Sequence, residues 1–297
     1  MVSYFVGVIF GILAGVFNFA GQILMKKAIN DLPPEIRSGN LIKTLLRNRT
    51  WLSGIIMMIV FCTVFLFLAQ QSVGAALIPG LMASGFIVLA IGSVKILKEE
   101  LKKAEIIAII MLISAVLFIS FSQLSIEATT DYFRDSGFLI RIFLYSAVFT
   151  GLWWGLFLTG KRVTKSKSIF LALGNGFPFV LNNIWMGPLT AFITPVFTGT
   201  AGGFEWTYAI ICSFIIVVVN VLGVGQYQYA LNAGNASIVV PMQQLPQQVA
   251  PVIIYYMIYQ FASPTPYSLP LLLIGIVLIT VAGFILASRQ ASLEKMG

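Results

Sequence analysis

The chain has 297 residues, of which 59% are apolar and only 9% charged. Soluble domains run at about 45–50% and about 25% respectively, and so few charges cannot cover a water-facing surface. Histidine is absent, which removes the commonest metal ligand and the usual neutral-pH acid–base. Cys62 and Cys212 both sit inside apolar runs, so neither a disulfide framework nor a thiolate metal cluster is expected. The net charge of +8 has the sign of a nucleic-acid binder, but the placement of the basic residues gives it another meaning, and no nucleic-acid partner is expected.

Charge-free intervals run from Met1 to Met25, Thr50 to Val94, Ile106 to Ile126, Ile142 to Gly160, Ser168 to Phe204 and Trp206 to Ser288. A membrane-crossing helix needs roughly 20 mostly apolar residues. Turn residues at Gln70-Gln71-Ser72, Asn232-Ala233-Gly234-Asn235 and Ser263-Pro264-Thr265-Pro266 divide the longer intervals. The result is nine spans, near 4–24, 51–70, 74–95, 105–125, 138–160, 168–188, 206–228, 235–259 and 268–288. Backbone groups in lipid must pair internally, so each span is expected to be helical. The runs do not alternate as barrel strands do.

Span 1 lacks a basic n-region, and its apolar stretch exceeds that of a signal peptide. Its Gly7, Gly11, Gly15, Asn18 and Gln22 share one helical face. The glycines admit a neighbouring helix; the amides either cross-link helices or line a polar cavity. Leu41-Ile42-Lys43-Thr44-Leu45-Leu46-Arg47 follows, either an amphipathic segment on the membrane surface or a plain loop. In span 3 the small residues Ala76, Gly80 and Ser84 suit close packing. Span 5 carries Trp153 and Trp154, the latter nearer mid-span. Span 6 holds Gly174, Asn175, Gly176, Pro178, Asn182, Asn183 and Trp185, and Pro178 removes one helix hydrogen bond. Residues 188–204 either extend this span or form a re-entrant segment. Span 7 holds Asn220 and Gln226.

Span 8 reads Pro241-Met242-Gln243-Gln244-Leu245-Pro246-Gln247-Gln248-Val249-Ala250-Pro251, with Tyr255 and Tyr256 beyond it. Gln243 with Gln247, and Gln244 with Gln248, are i,i+4 pairs. Such residues in hydrocarbon must face protein or water. Interrupted helices near the midplane are where transporters bind their solutes; the alternative is a central helix whose glutamines only cross-link its neighbours.

Sixteen of the eighteen basic residues follow spans 1, 3, 5 and 9. By the positive-inside rule this implies an outside N-terminus and a cytoplasmic C-terminus in a cell membrane. Spans 1–4 (within 1–126) and 6–9 (within 168–297) recur at an offset of 161–162 residues, pairing Gly15 with Gly176, Gln22 with Asn183 and Pro79 with Pro241. With one bridging span (within 127–167) the blocks enter the membrane from opposite faces, an inverted 4 + 1 + 4 repeat. The expected fold is therefore an all-α integral membrane protein. No titratable residue lies at mid-span, which argues against a buried carboxylate relay and an intramembrane protease. No phosphate loop is present; neither an enzyme activity nor a cofactor is expected.

Two stretches add a resemblance. One runs from Gly74-Ala75-Ala76-Leu77-Ile78-Pro79-Gly80 to Leu97-Lys98-Glu99-Glu100-Leu101, the other from Tyr229-Ala230-Leu231-Asn232 to Asn235-Ala236-Ser237-Ile238-Val239-Val240-Pro241. They resemble the paired proline-containing elements of the drug/metabolite transporter superfamily, including its EamA-type permeases. That pattern implies five plus five helices, so the first would be missing here, and a count of nine also resembles the NIPA-type branch, associated with magnesium transport. Tyr259-Gln260-Phe261 departs from the acidic helix end the pattern implies. The expected function is a multi-pass transporter of a small metabolite or ion by alternating access, with spans 1, 3, 6 and 8 around its cavity. Its solute would meet Asn18, Gln22, Trp154, Asn182, Asn183, Asn220, Gln243, Gln244, Gln247, Gln248 and Tyr255, with no metal site. An uncharged amide cavity suits a neutral or zwitterionic metabolite better than a bare divalent ion. The other expectation kept open is a membrane scaffold or sensor.

Overall fold

The computed structural model describes residues 4–39, 41–73, 78–124, 126 and 128–293. Among the described residues every regular element is helical. Helix α1 is Tyr4–Asn30, followed by the short α2 (Pro34–Ser38) and α3 (Leu41–Leu45). Helix α4 (Arg49–Ile56) passes through a π-helical turn, Met57–Phe61, into α5 (Cys62–Val73). Then come α6 (Ile78–Met82), α7 (Gly85–Lys95), α8 (Lys103–Phe121), α9 (Ser136–Arg162), α10 (Lys167–Thr198) and α11 (Gly203–Ala233). Helix α12 (Ala236–Ile253) ends in a second π-helical turn, Ile254–Ile258, and α13 is Ser268–Leu293.

Among the described residues seven stretches are long and apolar enough to cross a bilayer: Phe5–Asn30, Arg49–Ala69, Lys103–Phe121, Ser136–Arg162, Lys167–Thr198, Gly203–Ala233 and Ser268–Arg289. The chain is thus an all-helical, multi-pass membrane protein. Each lies on one of the spans expected from sequence. The other two expected spans are not among them. At 74–95, Gly80–Lys95 forms a shorter apolar stretch that runs across the α6–α7 junction. The one at 235–259 is helical, but four glutamines and three prolines dilute its apolar character. The motif residues Gly74 to Leu77, Ala76 among them, lie outside the described residues.

Some boundaries move. Helix α5 runs through Gln70-Gln71-Ser72 to Val73, so the break comes later than those residues suggest. Residues 188–204 hold no re-entrant segment: α10 continues through Pro178, Pro188 and Pro195 and stops at Gly199, whose φ of 72° suits glycine. At 32 residues it is about 48 Å long, more than the roughly 30 Å of a hydrocarbon core. Helix α3 does not spread its apolar side on the membrane surface; Leu41 and Leu45 are buried in the protein core.

Helix α1 packs on α4 to α7, and α10 packs on α9, α11 and α12, while α8 lies along α13 and α12 touches both α7 and α13. Several glycines bring backbones together, Gly15 and Gly176 among them. A Cβ on Gly15 would lie 2.3 Å from the Met82 carbonyl oxygen, and one on Gly176 would lie 2.6 Å from that of Gln243. Two buried clusters result. The first joins α1, α3, α7 and α8 to the ends of α11 and α12 that lie beside the basic loops, with α13. The second, around Phe133, Phe138, Trp185, Phe192 and Tyr259, draws all its fully buried members from residues 133–259. The two ends of the bundle are therefore packed differently.

Gly176→Val should lower stability by about 1–3 kcal/mol, because backbone cannot move aside as a side chain can. A drop of several degrees in the thermal midpoint of the purified protein is expected. Gly151→Ala, where nothing lies within 4 Å of the added carbon, should leave the midpoint unchanged or raise it slightly.

Candidate functional site

The polar face of α1 continues further than the span limits suggested. Asn18, Gln22, Lys26 and Asn30 fall at steps of four, in line along the helix. Gln22 is 3% exposed. Its Oε1 accepts from the Tyr227 hydroxyl at 2.7 Å, and its Nε2 donates to Asn18 Oδ1. Asn18 Nδ2 faces Cys62 Sγ at 3.7 Å. Lys26 is 6% exposed, and its ammonium donates to the carbonyl oxygens of Leu231 and Gly234, the latter at 2.7 Å. These carbonyls end α11, where the helix dipole favours a cation.

Helix α11 supplies the partners for several amides. Asn220 Nδ2 donates to Asn182 Oδ1 at 2.7 Å and to the Ile216 carbonyl at 2.8 Å. Trp153 Nε1 donates to Gln226 Oε1 at 2.6 Å, and Trp51 Nε1 to Gln228 Oε1 at 2.9 Å. Asn175 Nδ2 donates to the Gly223 carbonyl at 2.7 Å, leaving its buried Oδ1 without a partner.

The glutamines of α12 divide. Gln243 is buried, and its Oε1 has no hydrogen-bond partner. Gln247 Nε2 reaches back to the Gln243 carbonyl at 3.3 Å. Every residue from Gln244 to Val249, Gln248 included, is partly exposed although α12 sits between α7, α10 and α13. Asn183, in the middle of α10, is exposed, and Met186 beside it is 42% exposed. The remaining candidates stand apart. Trp154 is 40% exposed and its ring meets Trp153 and Phe157. The Tyr255 hydroxyl donates to the Ala262 carbonyl at 2.9 Å, tying down the chain after the π-helical turn.

Two charged residues are buried toward helix ends. Lys26 lies near the end of α1, and Glu105, at the start of α8, is fully buried while its carboxylate accepts from the Lys102 N–H at 2.6 Å. Glu99 also has a defined role: its two oxygens accept from the N–H groups of Ala236 at 2.7 Å and Ser237 at 3.0 Å, capping α12. A cavity of about 360 Å³ opens at this end, lined by Lys26, Asn30, Lys98, Glu99, Asn235 and Arg289 among others. Tyr227 and Gln228 were not read as site residues, since nothing in their own neighbourhood reveals the helix they meet. Lys26 could have been found by following the four-residue period of α1 beyond residue 24. No family model, curated protein or solved structure matches the chain.

Tyr227→Phe removes the donor to Gln22 and leaves a buried amide oxygen unpaired. Buried hydrogen bonds between membrane helices are worth about 0.6–1.7 kcal/mol. The variant should lose stability of that order in reversible unfolding from detergent micelles, with no loss of its helical circular-dichroism signal.

Proposed function

We propose that the protein is a secondary transporter of the drug/metabolite type, moving a small neutral or zwitterionic solute by alternating access between two inverted blocks, 1–126 and 168–297, bridged by α9. The two elements too short or too polar to count as crossings, α6–α7 and α12, are the third member of each block and complete nine crossings. Packing supports the repeat. The Gly15–Met82 contact of α1 with α6 and the Gly176–Gln243 contact of α10 with α12 are related by the same shift of 161 positions in both partners. Helix α1 ends beside the α11–α12 turn, at Lys26 and Gly234, and Gly234 also packs on Ser168 at the start of α10. The two helices therefore run in opposite senses, as inversion requires.

The observation that carries the function is the exposure of amides at mid-helix. Asn183 is exposed and Gln244, Gln247 and Gln248 are partly exposed at a depth where lipid would leave carboxamides unpaired. Water in a vestibule between α10 and α12 resolves this, and a purely structural scaffold has no need of one. The lining carries amides without a charge, and among the described residues no three Asp, Glu or Cys side chains come together as metal ligands. Both favour an uncharged or internally balanced solute over a dehydrated divalent ion. The basic loops put the vestibule on the external side of a cell membrane.

Uptake into proteoliposomes of labelled neutral metabolites and amino acids, run beside magnesium flux, tests this reading. Uptake of an organic solute is expected, reduced at least tenfold by Gln243→Ala and Gln247→Ala. Flux of magnesium alone would transfer the reading to an ion, and organic uptake unaffected by either substitution would remove these residues from the site.

A further inference from the structure

The end of the bundle beside the basic loops is closed by charged groups of the first block gripping one turn of the second. Lys26 of α1 holds the carbonyl end of α11 through Leu231 and Gly234, and Glu99, in the α7–α8 loop, holds the amide end of α12 through Ala236 and Ser237. The α11–α12 turn is thus held at both its ends. Each contact matches a charge to the helix terminus of opposite partial charge. Both residues also line the 360 Å³ cavity, so water arriving from the basic side reaches them. Behind them the polar line of α1 continues through Gln22 to Asn18, and Gln22 is shut off by Tyr227.

The opposite end is packed by the aromatic cluster around Phe133, Trp185 and Phe192, with Arg141 Nε donating to the Ile258 carbonyl at 3.0 Å; the difference lies at the middle of α10. Asn183 is the counterpart of Gln22 under the 161-residue shift, yet it is exposed where Gln22 is 3% exposed. Two equivalent amides in opposite surroundings are what one state of an alternating pair of gates produces.

We infer that the line Asn18–Gln22–Lys26–Asn30 is the basic-side half of the solute path, that Lys26 and Glu99 are its gate, and that the structure is the state closed at this gate and open at Asn183. The inference rests on the transporter reading above and adds the gating residues and the route. Glu99 and Lys26 act by positioning the turn rather than by touching the solute. Release of both lets the α11–α12 turn leave α1, exposing Gln22 and the buried start of α12.

Thiol labelling in proteoliposomes tests it, on a background in which Cys62 and Cys212 are replaced by serine and alanine. Val239→Cys, at a site 1% exposed just behind the turn, reports the gate; Met186→Cys, at 42% exposure, reports the opposite end. With the gate intact Met186→Cys should react quickly with a maleimide and Val239→Cys slowly. Glu99→Gln or Lys26→Met should raise the Val239→Cys rate at least tenfold and lower that of Met186→Cys, while Lys26→Arg, which keeps donors for the carbonyls, should stay slow. Ala236→Pro guards against misfolding: it deletes one N–H that Glu99 uses at a first-turn position where proline fits a helix, and it should also speed Val239→Cys labelling. Unchanged rates at both reporters in Glu99→Gln, Lys26→Met and Ala236→Pro, with wild-type thermal midpoints, would overturn the gate. Solute uptake by the same vesicles separates the two readings. Uptake with unresponsive labelling removes the gate alone, and responsive labelling without uptake of any solute removes the transporter.

Discussion

A carboxamide or ammonium group held within a bilayer must be paired by protein or reached by water, because hydrocarbon offers it nothing. The bundle meets that demand in two ways. Near the basic loops several such groups are paired: Tyr227 closes on Gln22, Trp51 on Gln228, and Lys26 on the end of α11. Around the middle of α10 and α12 the amides of Asn183, Gln244 and Gln248 remain partly or fully exposed. On the transporter reading, the bundle carries a sealed end beside the basic loops and a water-filled opening at mid-helix.

Close approach of helices makes the sealed end possible. Gly15 and Gly176 let α6 and α12 come within backbone contact of α1 and α10, which draws the polar groups of different helices into hydrogen-bond range. The prolines of α10 and α12 do not break their helices. They do lower the apolar character of α12, and so the helix richest in amides is also the one whose passage through the membrane is least evident from composition.

Much of the architecture was legible in the order of residues. Charge-free intervals located the seven long apolar stretches, because the cost of charge in hydrocarbon is large and local. Break points were less legible: Gln70-Gln71-Ser72 continue a helix, and Pro188 does not end one, because packing rather than propensity decides these positions. The site was legible in part. Glutamines in α12 announced themselves by number; Asn182 and Asn220 were each visible as amides within spans, but their pairing was not. Tyr227, Gln228 and the grip of Glu99 on α12 depend on contacts across more than 130 residues, which no local pattern encodes. Lys26 escaped for a different reason: its period along α1 was visible, but a charge so near a loop resembles a topology signal.

The central claim is that the exposed amides at mid-helix face water, and power-saturation spin-label spectroscopy reads this most directly. A nitroxide on Asn183→Cys, with Cys62 and Cys212 replaced, is exposed in bilayers to a water-soluble nickel chelate and to oxygen, which concentrates in lipid. The account predicts strong relaxation by the chelate and weak relaxation by oxygen, with the reverse pattern for a label at Phe214, an exposed apolar residue of α11. Oxygen-dominated relaxation at Asn183, matching that at Phe214, would place the amide against lipid and contradict the vestibule.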